Sequence, residues 1–198
     1  MYKSPSSALT ACQIWLAKRN LDAVIINAKQ NKFGHTGLLS ASGHLFITRT
    51  SQHILVDSRY YHELSAKADS YQLHMTDTQL PASAIINQII AQEKLACVGF
   101  EAEHLSYSQS LSLIEKINAE MSPICLDELR QIKTPSEIDT IKSACLIADC
   151  ACAHIRQYIR PGMTEHQIAN ELEWFMKNEG AEKTSFDTIV ASGVRGAM

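Results

Sequence analysis

The chain has 198 residues, 45% of them hydrophobic and 20% charged, and a formal net charge of -3 at neutral pH. That balance excludes a disordered chain and gives no basic field for nucleic acid. No apolar stretch approaches a membrane span, and Met1–Ser7 lacks the apolar core of a secretory signal, so a cytoplasmic setting is expected.

Residues 7–20 carry Leu9, Cys12, Trp15 and Leu16 at helical spacing. Leu21-Asp22-Ala23-Val24-Ile25-Ile26-Asn27 reads as a buried strand, rich in β-branched residues. Leu45–Thr48 and His53–Asp57, separated by the polar run Arg49-Thr50-Ser51-Gln52, predict a hairpin. A helix over 58–67, a strand over 71–75, a helix over 81–93, a strand over 95–100 and a helix over 106–120 follow. Alternation of this kind over about 125 residues, interrupted by a hairpin, predicts an α/β domain with a mixed sheet.

The predicted boundaries are a first domain over 1–126, a linker over 127–134 and a second part over 135–198. Thr134-Pro135-Ser136-Glu137 is a helix start, with threonine as cap, proline in the first turn and glutamate reaching back. The helix behind it carries an apolar stripe of Ile138, Ile141, Cys145, Ala148, Cys152 and Ile155, which predicts one covered face. Thr164-Glu165-His166-Gln167 opens another helix, with Ile168, Leu172 and Phe175 inward and Gly180 as a left-handed cap. Thr188-Ile189-Val190-Ala191 then reads as a strand before a glycine-rich turn. Two helices and one strand are expected to be an incomplete second domain, because a lone strand needs later chain to pair with it.

Chemistry-bearing clusters are sparse. Cys12, Cys97, Cys125, Cys145, Cys150 and Cys152 form no Cys-x-x-Cys pair and read as buried apolar residues or free thiols. The eight histidines show no His-x-His or His-Glu-x-x-His spacing, and no carboxylate pair is placed for two-metal chemistry. Gly34-His35-Thr36-Gly37 and Ser40-Ala41-Ser42-Gly43 match no phosphate-loop pattern and read as turns. Asp57 is expected to cap the helix after it, with Arg59 pairing a carboxylate across the domain.

Several runs together carry a resemblance. They are Leu21–Ile26, Thr36-Gly37 through Ser42-Gly43, Val56-Asp57-Ser58-Arg59-Tyr60-Tyr61 and Val98-Gly99-Phe100-Glu101. More specific are Leu129-Arg130-Gln131-Ile132-Lys133-Thr134-Pro135-Ser136-Glu137-Ile138, Gly162-Met163-Thr164-Glu165 and Ser185–Gly193. In this order the chain resembles the aminopeptidase P / prolidase / creatinase family of pita-bread metallopeptidases, nearest to short bacterial Xaa-Pro aminopeptidases. The resemblance implies a creatinase-type N-terminal α/β domain followed by the first part of an α+β pita-bread catalytic domain.

It further implies two divalent ions (Mn²⁺, Co²⁺ or Zn²⁺) on two Asp, one His and two Glu, a peptide substrate cut before proline, and a homodimer. None of those ligand positions falls within the chain, and Met198 stands where a Pro-His pair is expected next. The chain is therefore expected to be truncated, to hold no catalytic metal and to be inactive alone. By resemblance Phe186 lines the substrate side-chain pocket, although an apolar residue opening a strand also fits a core position. His35 is the second substrate-side candidate, reaching a neighbouring subunit's site. The competing reading is a non-catalytic remnant kept for oligomerisation or regulation; a third is an α/β small-molecule-binding domain unrelated to peptidases.

Overall fold

The computed structural model describes residues 5–36, 43–65 and 71–197. Gly37, the Ser40–Ser42 part of the second glycine turn and the expected end of the helix over 58–67 lie outside the described residues. Two compact units divide at Thr134/Pro135.

In the first unit the elements run α1 (Pro5–Lys18), β1 (Ala23–Ile26), α2 (Lys29–Thr36), β2 (His44–Thr48), β3 (Gln52–Val56) and α3 (Ser58–Ser65). Then come β4 (Gln72–Met75), α4 (Ala82–Glu93), β5 (Cys97–Glu101), α5 (Tyr107–Lys116), β6 (Glu120–Ile124) and the one-turn α6 (Glu128–Gln131). One sheet holds the strands in the order β4-β3-β2-β1-β5-β6. β2 runs antiparallel to both neighbours and the other pairs are parallel, which is the mixed α/β sheet expected.

Alternation along β1 explains both cores. Val24 and Ile26 join Cys12, Trp15 and Leu16 of α1 and Leu126 on one face. Ala23 and Ile25 join Phe46 and the Ile85, Ile86, Ile89 and Ile90 row of α4 on the other. A central strand covered twice must be apolar throughout, and β1 is. Burial in the first core pushes the Cys12 thiol up to about 12, which keeps it protonated and unreactive.

Three local expectations are corrected here, and the expected linker range gains a helical turn. Gly34, His35 and Thr36 belong to α2 rather than to a turn. Residues 120–124, assigned partly to a helix, form edge strand β6; Pro123 is tolerated there because an edge needs fewer ladder donors. Arg59 pairs with Asp57 itself at 2.7 Å instead of reaching across the domain. Its side chain lowers the Asp57 carboxyl below the usual range, mainly by hydrogen bonding. Residues 127–134, expected as a linker, include α6, where Glu128 bonds the Trp15 indole of α1 and, at 2.9 Å, Arg19 just beyond that helix.

The second unit contains α7 (Pro135–Tyr158) and α8 (Glu165–Asn178). The expected capping box opens α8, with Thr164 accepting from the Gln167 N–H and the Gln167 side chain accepting from the Thr164 N–H. Gly180 takes the expected left-handed conformation, with the Ala181 N–H donating to the Met176 carbonyl. α7 meets α8 through His154, which stacks on Phe175 and bonds Glu171; of the predicted stripe, Ile155 is half-buried while Ile138, Ile141, Cys145, Ala148 and Cys152 are exposed. Thr188–Ala191 forms no strand, because no other strand stands among the unit's described residues to complete a ladder. A 3-10 turn, Gly193–Ala197, follows.

Gly43 enters β2 with a φ of +87°, and a Cβ there would drive into the Leu55 carbonyl and lie 2.7 Å from Val56 Cγ1. Replacing it by alanine is expected to lower unfolding free energy by about 2–3 kcal/mol. Gly34 sits in α2 with open space around it, so Gly34→Ala is expected to be neutral or stabilising by about 0.5–1 kcal/mol. Urea titration of both variants checks the contrast.

Candidate functional site

In the second unit the functional candidates gather around the start of α8. Glu165 accepts from the Ser192 N–H at 2.8 Å and from its hydroxyl at 3.3 Å, and it pairs with Arg195. One carboxylate in the first helical turn, where the helix dipole favours it, thus holds the returning segment and its 3-10 turn. Phe186 lies within that segment and is 75% exposed, so it packs into neither core nor pocket of its unit. On the α7–α8 seam, His154 stacks on Phe175 at 4.3 Å and bonds Glu171 at 2.7 Å. An open groove beside it is lined by Tyr158, Asn170, Glu171, Trp174 and Lys177.

His35 lies in the first unit, buried in the last turn of α2. The helix is anchored by a residue that sequence reading gave no role. Glu101, 1% exposed at the end of β5, accepts from the Asn27 and Ala28 N–H groups at 2.6 and 2.8 Å and from the Asn31 amide. Two orphan donors ahead of α2 are thereby satisfied by a charge-assisted acceptor from a distant strand. Arg130 donates to Asn31 Oδ1 at 3.3 Å, and Lys32, buried one residue on, donates to the Gly43 carbonyl at 2.8 Å. Burial lowers the Lys32 ammonium, with the Glu101 charge opposing that shift.

At the other end of the hairpin a second polar chain is half-buried around the buried His53. Ser51 Oγ donates to Glu93 Oε1 at 2.7 Å and lies 2.7 Å from His53 Nε2. With that hydroxyl proton committed, His53 Nε2–H donates to Ser51, and His53 Nδ1 accepts from His74 Nε2–H at 3.0 Å. Burial pushes the His53 imidazole down, and His74 beside it adds to that despite Glu93; burial likewise lowers His74. Burial raises the Glu93 carboxyl, but bonds from Ser51, Thr48 and Thr50 outweigh it and leave the group below its usual range. The N–H groups of Thr50 and Ser51 both go to Thr48 Oγ1, so neither serves Ser51 as an oxyanion donor.

Among the described residues, one group of three ligand atoms lies within 4.8 Å: Glu103, Cys125 and Asp127, all exposed. A thiol with two surface carboxylates is not the Asp, His and Glu set that a peptidase metal pair implies. The residues present do not fit that pair. Among the described residues no helix is long and apolar enough to cross a membrane.

Comparison with known proteins joins the two units. The creatinase/prolidase N-terminal domain model matches residues 9–132, and the metallopeptidase family M24 model matches 139–198. A putative Xaa-Pro aminopeptidase of Mycoplasma pneumoniae is 28% identical over 198 residues, all of this chain and 54% of its own. An Xaa-Pro dipeptidase of Pyrococcus horikoshii is 31% identical over 191 residues, 93% of this chain and 51% of its own. Among solved structures, the Xaa-Pro dipeptidase from Bacillus anthracis superposes with a TM-score of 0.90 at 30% identity, covering 98% of this chain and 55% of that one. The chain spans about half the length of the curated relatives it matches.

Two energetic consequences follow from the buried groups. Glu101→Ala strands several buried donors and opens a cavity, and is expected to cost about 3–4 kcal/mol in urea unfolding; Glu101→Gln keeps the volume and should cost about half. The His44, His53 and His74 imidazoles all sit below their ordinary value of 6.5 in the folded chain. The unfolded chain therefore takes up protons first, so stability is full above pH 6.5 and falls as the pH drops below it. Thermal melts from pH 8 to 5 should show that decline, and His74→Gln should flatten it.

Proposed function

We propose, from the premise that this chain belongs to the creatinase/prolidase N-terminal domain family, that it is the N-terminal part of a metal-dependent peptidase that removes an N-terminal residue ahead of proline. One observation carries this reading: a creatinase-type domain over 9–132 is followed directly by a metallopeptidase match over 139–198, with relatives named for Xaa-Pro cleavage along both. The metals, two divalent ions of the Mn²⁺, Co²⁺ or Zn²⁺ class, are assigned to ligands outside these 198 residues.

Within the chain, the roles proposed are positional. Phe186 is assigned to a substrate side-chain pocket on the resemblance, and its own unit leaves it uncovered. Glu165 holds the segment that follows Phe186 by its two bonds to Ser192. His35 is assigned to the substrate side of a neighbouring subunit in a homodimer on the resemblance alone; in this chain it is buried in the last turn of α2. The setting proposed is cytoplasmic and the substrate a peptide.

The purified 198-residue chain is expected to carry no stoichiometric pair of ions and to release no residue from Xaa-Pro peptides. Elemental analysis that finds two tightly bound ions per chain overturns that assignment. In a longer protein containing this chain and active on such peptides, Phe186→Ala should raise KM roughly tenfold with little change in kcat. An unchanged KM removes Phe186 from the pocket.

A further inference from the structure

β1 and β5 are adjacent and parallel, yet the chain leaves them in opposite directions. After β1 it enters α2, which packs with α1 on one face of the sheet. Beyond β5 it reaches α5, whose Leu113 packs with the α4 isoleucines on the other face. Neighbouring parallel strands whose connections diverge in this way leave a crevice outside their carboxyl ends, and such crevices are where open α/β sheets bind ligands. A cavity of about 320 Å³ opens there, wholly within the first unit.

Its walls have a definite chemistry. Ile86, Leu105 and Leu113 supply an apolar surface, while Ser83, Ser112 and Lys116 supply hydroxyls and an ammonium. The start of α4, from Pro81, forms another side, and no side chain caps that twelve-residue helix. At the strand end stand Asn27 and His44, joined through Asn27 Oδ1 and His44 Nδ1. Not one of the lining residues is acidic. The nearest buried carboxylate, Glu101, lines no part of the cavity and is already committed to Asn27, Ala28 and Asn31.

We propose that this crevice binds a small organic carboxylate with a compact apolar body, its charge toward Lys116 and the first turn of α4. The volume lies at the low end for a small-molecule site, and a mostly apolar lining with a few convergent polar groups is what such sites have. A neutral amide of the same shape would meet the same apolar wall but lose the charge-assisted part of the interaction. Nothing in this site depends on peptidase chemistry, so it stands or falls apart from the peptidase reading.

The test is amide shift mapping on the 198-residue chain with 4-methylpentanoate, and with 4-methylpentanamide as its uncharged counterpart. The carboxylate should move the amides of Ser83, Ser112 and Lys116 and the side-chain amide of Asn27 in a saturable way, with the amide compound about tenfold weaker. Lys116→Gln should weaken the carboxylate by a similar factor. Ser112→Phe, which fills the cavity, should abolish binding while leaving the rest of the spectrum in place. Absence of shifts at these residues up to about 10 mM probe overturns the proposal, as does equal affinity for the acid and the amide. Undiminished binding to Ser112→Phe does so as well.

Discussion

The first unit depends on one buried carboxylate. Glu101 is held at the end of β5 and accepts from backbone donors at the end of β1 and from the Asn31 amide of α2. Without an acceptor there, the N–H groups ahead of α2 would face the core unpaired, and a helix of weak intrinsic preference would have no fixed start. Through Asn31 the same carboxylate reaches Arg130 of α6, so the close of the unit is tied to its centre. Positions of His35, Lys32 and Asn27 all follow from that anchoring.

Much of this architecture is legible in the chain itself. β1 is legible because a strand covered on both faces must be apolar at every residue, and Ala23–Ile26 is. α8 is legible because both partners of its capping box lie within four residues. α2 is not: Lys-Gln-Asn-Lys-Phe-Gly-His-Thr has no apolar period, and its decisive partner lies more than sixty residues away. β6 is not legible beyond the helix expected to end at 120, because Pro123 and a polar opening hide a short edge strand, which shows only once β5 is in place beside it.

The candidate site divides along the same line. Phe186 and His35 were named through motif order, not through any chemistry of their own neighbours, and their roles remain proposals. Glu101 stood inside a matching run, yet nothing local marks a glutamate as buried; only its place at the end of a core strand does. The Ser51–His53–His74–Glu93 chain spans the hairpin turn, β3, β4 and the end of α4, so no sequence spacing could assemble it. In the second unit, α7 has apolar residues on more than one face, and the face that meets α8 is chosen by His154 and Phe175 stacking.

Pro123 has a consequence for how copies of this chain meet one another in a crowded solution. At that margin of the sheet the backbone lacks one amide donor in mid-strand, so an incoming strand would lose a ladder bond there. The opposite margin, β4, offers only four residues, Gln72–Met75, a short edge for an incoming strand. Sheet-to-sheet coalescence, the usual route from a six-stranded sheet to a fibrous aggregate, is thereby discouraged at both sides.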